Sequence, residues 1–160
     1  WESLTLEAGT PLFETELDGR IPNTAGLRHA LDFEKGCYVG QELVSKVANR
    51  GQPSSRLVGL RTDALVEAGS TVTVAGETVG EITRAVEAPS VGTPIALAFV
   101  DFDASLDGAT VEAPGEHDNE DDEDDPGTVD ADVVDLPFVT GSADSLRLPT
   151  YPDGAAEKTD

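Results

Sequence analysis

Leu57-Val58-Gly59-Leu60, Thr71-Val72-Thr73-Val74, Thr78 to Val86 and Pro94 to Val100 are four short runs rich in valine, isoleucine and threonine, separated by glycine and proline. Such spacing is the pattern of a small antiparallel β-barrel or sandwich. Ala75-Gly76-Glu77 lies between two of the runs and reads as a tight hairpin. Thr110 to Ala113 and Val133 to Val139 supply further strands, the second ending in Leu136-Pro137-Phe138-Val139. The β-rich unit is therefore expected over residues 51–139, after the polar, turn-forming junction Asn49-Arg50-Gly51-Gln52-Pro53-Ser54-Ser55.

Upstream the period changes. Residues 1–19 hold a short apolar segment closed by a Gly/Pro turn. Asn23 or Thr24 then stands ahead of Ala25 to Phe33, where a side-chain acceptor would cap a helix. Leu27, Ala30 and Leu31 fall on one face of that helix, which stops before Gly36. His29 is expected to be exposed and inert. Gln41-Glu42-Leu43-Val44 fits a short helix or an extended piece, and the pattern leaves both open. The fold class is α+β: residues 1–50 as the C-terminal piece of a mixed domain, followed by the barrel.

The chain has 32 acidic and 10 basic residues and a net charge of −22. Eight of the ten residues from Glu116 to Asp125 are acidic, but leaving them out still leaves 24 acidic against 10 basic residues, so the acidity is global. This surface repels nucleic acid and anionic membranes. It repels itself as well, and about 1 M salt shrinks the screening length to roughly 3 Å. A high-salt cytoplasm is the expected solvent; an acidic partner-binding surface is the alternative, and a salt titration of stability separates them. Residues 114–128 carry like charges side by side and are expected to form a disordered insert, and 140–160 a disordered tail. The acidic run lacks the frame of a calcium loop. No apolar run nears the roughly 20 residues needed to cross a bilayer. The chain opens on Trp1 inside an amphipathic pattern, which reads as part of something longer.

The densest chemistry is Lys35-Gly36-Cys37-Tyr38-Val39-Gly40-Gln41-Glu42. It holds the sole cysteine, which fits a reducing compartment. One cysteine makes no internal disulfide and holds no zinc or iron–sulfur site alone, so no metal site is expected and any cluster would be shared with a partner. Cys37 reads either as a small buried apolar residue or as an accessible thiol beside a lysine. Gly36 and Gly40 would allow a bend or a close approach. There is no Gly-rich phosphate loop, no G-x-S-x-G and no H-E-x-x-H.

K-G-C-Y-x-G-Q-E resembles the signature of the YgfZ family of folate-binding proteins, relatives of the glycine-cleavage T-protein. R-L-V-G-L, G-x-x-V-G-x-I-T and I-A-L-A-x-V are similar to the C-terminal β-barrel of that superfamily. The resemblance implies tetrahydrofolate as cofactor, with most of its pocket upstream, and a role in assembling or repairing iron–sulfur enzymes, the clients being partner proteins. It makes Cys37 the working thiol and Lys35 the charge that favours thiolate. Gly36, Tyr38, Gly40, Gln41 and Glu42 then orient the motif or a ligand. Arg50 and Arg56 are candidate anchors for folate carboxylates, since guanidinium and carboxylate pair in a bidentate way. Leu6-Glu7-Ala8-Gly9 matches a folate-proximal stretch of the T-protein group. Phe13 stands there for a tyrosine, and Thr24 for a glutamate that meets the folate. Two alternatives stay open: a tetrahydrofolate-dependent aminomethyltransferase, and a non-catalytic module that docks partners.

Overall fold

The computed structural model describes residues 1–27, 30–32, 35–112 and 127–139, with side chains omitted at 48–50. Six antiparallel strands form a closed barrel: β1 (Ser55–Thr62), β2 (Thr71–Val74), β3 (Glu77–Ala88), β4 (Thr93–Asp101), β5 (Ala109–Glu112) and β6 (Val129–Val134). Their order around the barrel is β1-β4-β3-β2-β5-β6. β2 and β3 are joined through Ala75 and Gly76, both at positive φ (52° and 81°). That conformation gives a two-residue hairpin turn the right-handed twist its strands need.

β4 explains why this barrel is also covered outside. Ile95 to Val100 are all buried, so both faces of the strand are apolar. Ala96, Ala98 and Val100 point into the barrel with Val58, Leu60, Val72 and Ile82. Ile95 and Leu97 point outward into a second cluster with Leu6, Ala88 and Phe138. The cover comes from α1 (Glu2–Glu7) and from residues 135–138, which return across the barrel after β6. The Phe138 amide donates to the Glu7 carbonyl at 3.0 Å, tying the two covers together. Gly59 makes the fit possible: a Cβ there would meet Leu136 Cδ2 and Phe138 Cζ at 2.8 Å.

The last strand differs from expectation. It runs Val129–Val134, not Val133 to Val139, and pairs with β1 from Gly59↔Val134 to Thr62↔Ala131. Pro137 has no N–H to give a ladder, and Leu136 and Phe138 are used to cover the outer face. The helix expected over Ala25 to Phe33 is absent from the described part of that stretch. Residues 22–26 form turns, and Gly26 sits at φ 70°, which breaks helical geometry at once. His29, Phe33, most of the acidic insert (113–126) and the tail (140–160) lie outside the described residues. The open choice at Gln41 resolves as a helix, α2 (Gln41–Arg50).

Candidate functional site

Cys37 is exposed. It lies on the irregular stretch that leads into α2, and the packed-core reading of this thiol does not hold. Gly40 is the N-cap residue of α2, at φ 87° and ψ 0°. Its carbonyl accepts from the Val44 amide at 3.2 Å. A left-handed residue at this point turns the chain from the cysteine stretch into the helix, and glycine adopts it without strain. Gly36, by contrast, is not at positive φ and has open space where a Cβ would sit, so neither reason for a glycine applies there. The Lys35 ammonium lies 5.2 Å from the centroid of the Tyr38 ring, a cation–π pair. Gln41 and Glu42 occupy the first turn of α2; the Gln41 amide donates to the Tyr38 carbonyl at 3.3 Å and so braces the motif's backbone through the main chain. Val39 is fully exposed and Leu43 is exposed beyond it.

Two contacts join this unit to the barrel. Asn23 Nδ2 donates to the Val44 carbonyl of α2 at 3.4 Å. The Thr24 carbonyl accepts from the Leu57 amide of β1 at 2.9 Å. Thr24 is buried, and its hydroxyl donates to the Ile21 carbonyl at 2.8 Å. It closes a turn and caps no described helix. Phe13 does not pack either: it opens a π-helical turn, Phe13–Leu17, and the residue is 68% exposed.

Arg56 does not join these residues. Its Nη2 donates to the Ala104 carbonyl at 3.3 Å, and its Nε is buried without a partner. It lines a cavity of about 630 Å³ together with Arg61, Asp63, Asp107, Asp130 and Asp132. None of the other expected site residues lines that cavity. The side chain of Arg50 is outside the described residues.

A buried ion pair among the described residues was not among the expected site residues. Glu16 is wholly buried and Arg84 is 4% exposed. Arg84 Nε donates to Glu16 Oε1 at 2.9 Å and to Oε2 at 3.2 Å, Nη1 to Thr5 Oγ1 at 3.2 Å, and Nη2 to the Thr10 carbonyl at 2.8 Å. Glu16 Oε2 also accepts from the Leu12 amide and the Thr15 hydroxyl, both at 2.7 Å. Burial works against the carboxylate's charge. The hydrogen bonds from Arg84, the Leu12 amide and Thr15 outweigh it and hold the carboxyl below its ordinary range. With Arg20 stacked 3.9 Å from the Phe99 ring centroid, this pair fastens residues 1–20 to the outer face of β3 and β4. Its one sequence signal is Arg84 inside a β-rich run, two residues from Val86, with which it shares a face.

Among the described residues no group of three His, Cys, Asp or Glu side chains could hold a metal ion. No helix among them is long and apolar enough to cross a membrane.

Residues 56–140 match the family of the glycine cleavage T-protein C-terminal barrel domain. An aminomethyltransferase of Streptomyces avermitilis is 41% identical over 106 residues, 62% of this chain and 28% of that protein. A putative chloroplastic transferase of Arabidopsis thaliana is 34% identical over 112 residues, 69% of this chain and 26% of that protein. The crystal structure of glycine cleavage system aminomethyltransferase T from Bartonella henselae superposes with a TM-score of 0.70 at 24% identity, covering 86% of this chain and 37% of that one. The chain thus spans about a quarter to a third of the length of these curated relatives.

Proposed function

The chain belongs to the family of the glycine cleavage T-protein C-terminal barrel domain, and on that premise we propose that it is the barrel-bearing part of a tetrahydrofolate-binding protein that assists iron–sulfur enzymes. The observation that carries this reading is Cys37, exposed on the stretch ahead of α2. A thiol presented to solvent on a turn is available to a partner, whereas a buried one is inert. The Gly40 turn fixes where the thiol stands relative to α2, and the Asn23 and Thr24 contacts fix α2 relative to the barrel. Folate would be held mainly by parts of the protein beyond this chain, with the exposed Phe13 ring offering a stacking face. Tetrahydrofolate would supply one-carbon chemistry or a structural ligand; the chain's own residues position and present the thiol.

A second reading, tetrahydrofolate-dependent aminomethyl transfer, is favoured by the names of the curated relatives. It asks for a carboxylate near the folate amine. At the corresponding place this chain has Thr24, whose hydroxyl is turned to Ile21, and the buried carboxylate of Glu16 is committed to Arg84.

The test is Cys37→Ser in the complete polypeptide, read in two assays. The proposal expects tetrahydrofolate binding by calorimetry to survive and the activity of iron–sulfur enzymes in the host under oxidative stress to fall. Unchanged iron–sulfur activity, together with aminomethyl transfer by the purified protein, would replace the first reading by the second.

A further inference from the structure

The cavity beside β6 is distinct from the Cys37 stretch, and its walls have an unusual charge arrangement. β5 and β6 pair only at Thr110↔Asp130 and Val111↔Val129. Beyond those two pairs the ladder stops, while β6 continues along β1 to Val134. Residues 106–109, the turn into β5, and 130–133 of β6 both line the resulting opening.

Two arginines and four aspartates line this one space: Arg56, Arg61, Asp63, Asp107, Asp130 and Asp132. No direct ion pair joins any two of them among the described residues. The ion pair found among the described residues is Arg84–Glu16, and Arg61 remains unpaired although it stands opposite Asp132 across the β1–β6 ladder. Opposite residues of an antiparallel pair have Cβ atoms about 5 Å apart and ordinarily pair when their charges differ. The carboxylates are also too dispersed to gather a metal ion, because no group of three among the described residues is close enough. A simple anion here would meet four carboxylates, and a simple cation two guanidiniums. A ligand with both charges, held apart on a skeleton, offers each sign of charge in the lining an opposite partner.

We propose that this cavity binds a small zwitterion, a molecule with a carboxylate for Arg56 and Arg61 and an ammonium for the aspartates. Its short hydrocarbon part lies against Leu106 and Val133, which line the same space. The cavity volume of about 630 Å³ lies within the range of small-molecule sites and exceeds the needs of one ion. Guanidinium takes carboxylate in a planar two-bond grip, and ammonium offers three donors to carboxylates. The reading does not rest on the Cys37 proposal: of the residues expected to meet folate, only Arg56 lines this cavity.

The experiment is a titration of the isotope-labelled 160-residue chain, followed by amide chemical shifts. The probes are glycine, β-alanine, 4-aminobutyrate and 6-aminohexanoate, with acetate and methylammonium as single-charge controls. The expected result is saturable shifts confined to 106–109 and 130–133, strongest for one chain length, with both controls at least tenfold weaker. Arg61→Gln and Asp132→Asn, both at exposed positions and so folded, should each weaken the best zwitterion at least tenfold. Acetate or methylammonium binding as tightly as any zwitterion would overturn the proposal. So would an absence of saturable shifts, or binding that both variants leave unchanged.

Discussion

Glu16→Gln tests whether residues 1–20 are fastened to the barrel by a buried charge pair. The substitution keeps the shape of the side chain and one acceptor for Arg84 Nε, and removes the negative charge. Arg84, 4% exposed, then keeps a buried positive charge with only neutral partners: the Gln amide oxygen, the Thr5 hydroxyl and the Thr10 carbonyl. Removing one member of a buried pair costs about 3–5 kcal/mol, and the retained amide oxygen places this case near the lower end, about 3 kcal/mol. For a chain of this size that is a fall in melting temperature of roughly 6–12 °C. Interior pairs are screened far less than surface ones, so the loss should be the same at low and at molar salt. Glu16→Leu combined with Arg84→Met leaves no unpaired charge, and should cost less than the two single changes added together. The pH dependence has a definite sign. The folded-state carboxyl of Glu16 lies below its ordinary value of 4.5, so its contribution is complete above about pH 4.5 and is lost as pH falls through the lowered value. Glu16→Gln should flatten that part of the acid limb. Thermal melts from pH 3 to 7 at two salt concentrations measure all of this. A loss below about 1 kcal/mol, or one that vanishes in molar salt, would refute the buried-pair account.

Further expectations follow from the same packing. Gly80→Ala should destabilise by at least about 2–3 kcal/mol, because its Cβ would meet the Phe99 carbonyl oxygen and the Val100 Cα of the adjacent strand, and backbone cannot yield; chemical denaturation of the variant measures it. Gly59→Ala should cost less, about 1–2 kcal/mol, since it presses on the Leu136 and Phe138 side chains, and an equal loss in the two variants would argue against the difference. Cys37→Ser in this chain should stay within about 0.5 kcal/mol of the parent, and the native thiol should react with a disulfide reagent without unfolding. With a net charge of −22, the melting temperature should climb as salt is raised from 0.1 to 2 M; a flat profile would speak against self-repulsion as the controlling term.

The barrel strands were legible where the sequence obeys one rule at a time. β2 coincides with Thr71–Val74, and the unbroken apolar run of β4 signals a strand covered on both faces, which α1 and Phe138 accomplish. β6 was displaced because Asp130 and Asp132 belong to the general acidic surface and disguise a strand alternation in which Ala131 is the buried member. The helix expected after Thr24 failed for a different reason: the apolar spacing of Leu27, Ala30 and Leu31 is helical, but Gly26 at positive φ turns the chain before the pattern can be used. Arg84 shows the limit of alternation itself. A register shift between Ile82 and Arg84 reverses the phase of β3, so Ile82 faces into the barrel while Arg84, Val86 and Ala88 face the outer cover. Read without the shift, Arg84 would point into the apolar barrel core, where no acceptor waits. With it, the guanidinium emerges beneath residues 1–20, and of the chain's many carboxylates the one that meets it is Glu16, carried there by a π-helical turn. Charge type alone therefore could not single out this pair, because its selection depends on a bulge and a turn that bring two distant residues into one dry space.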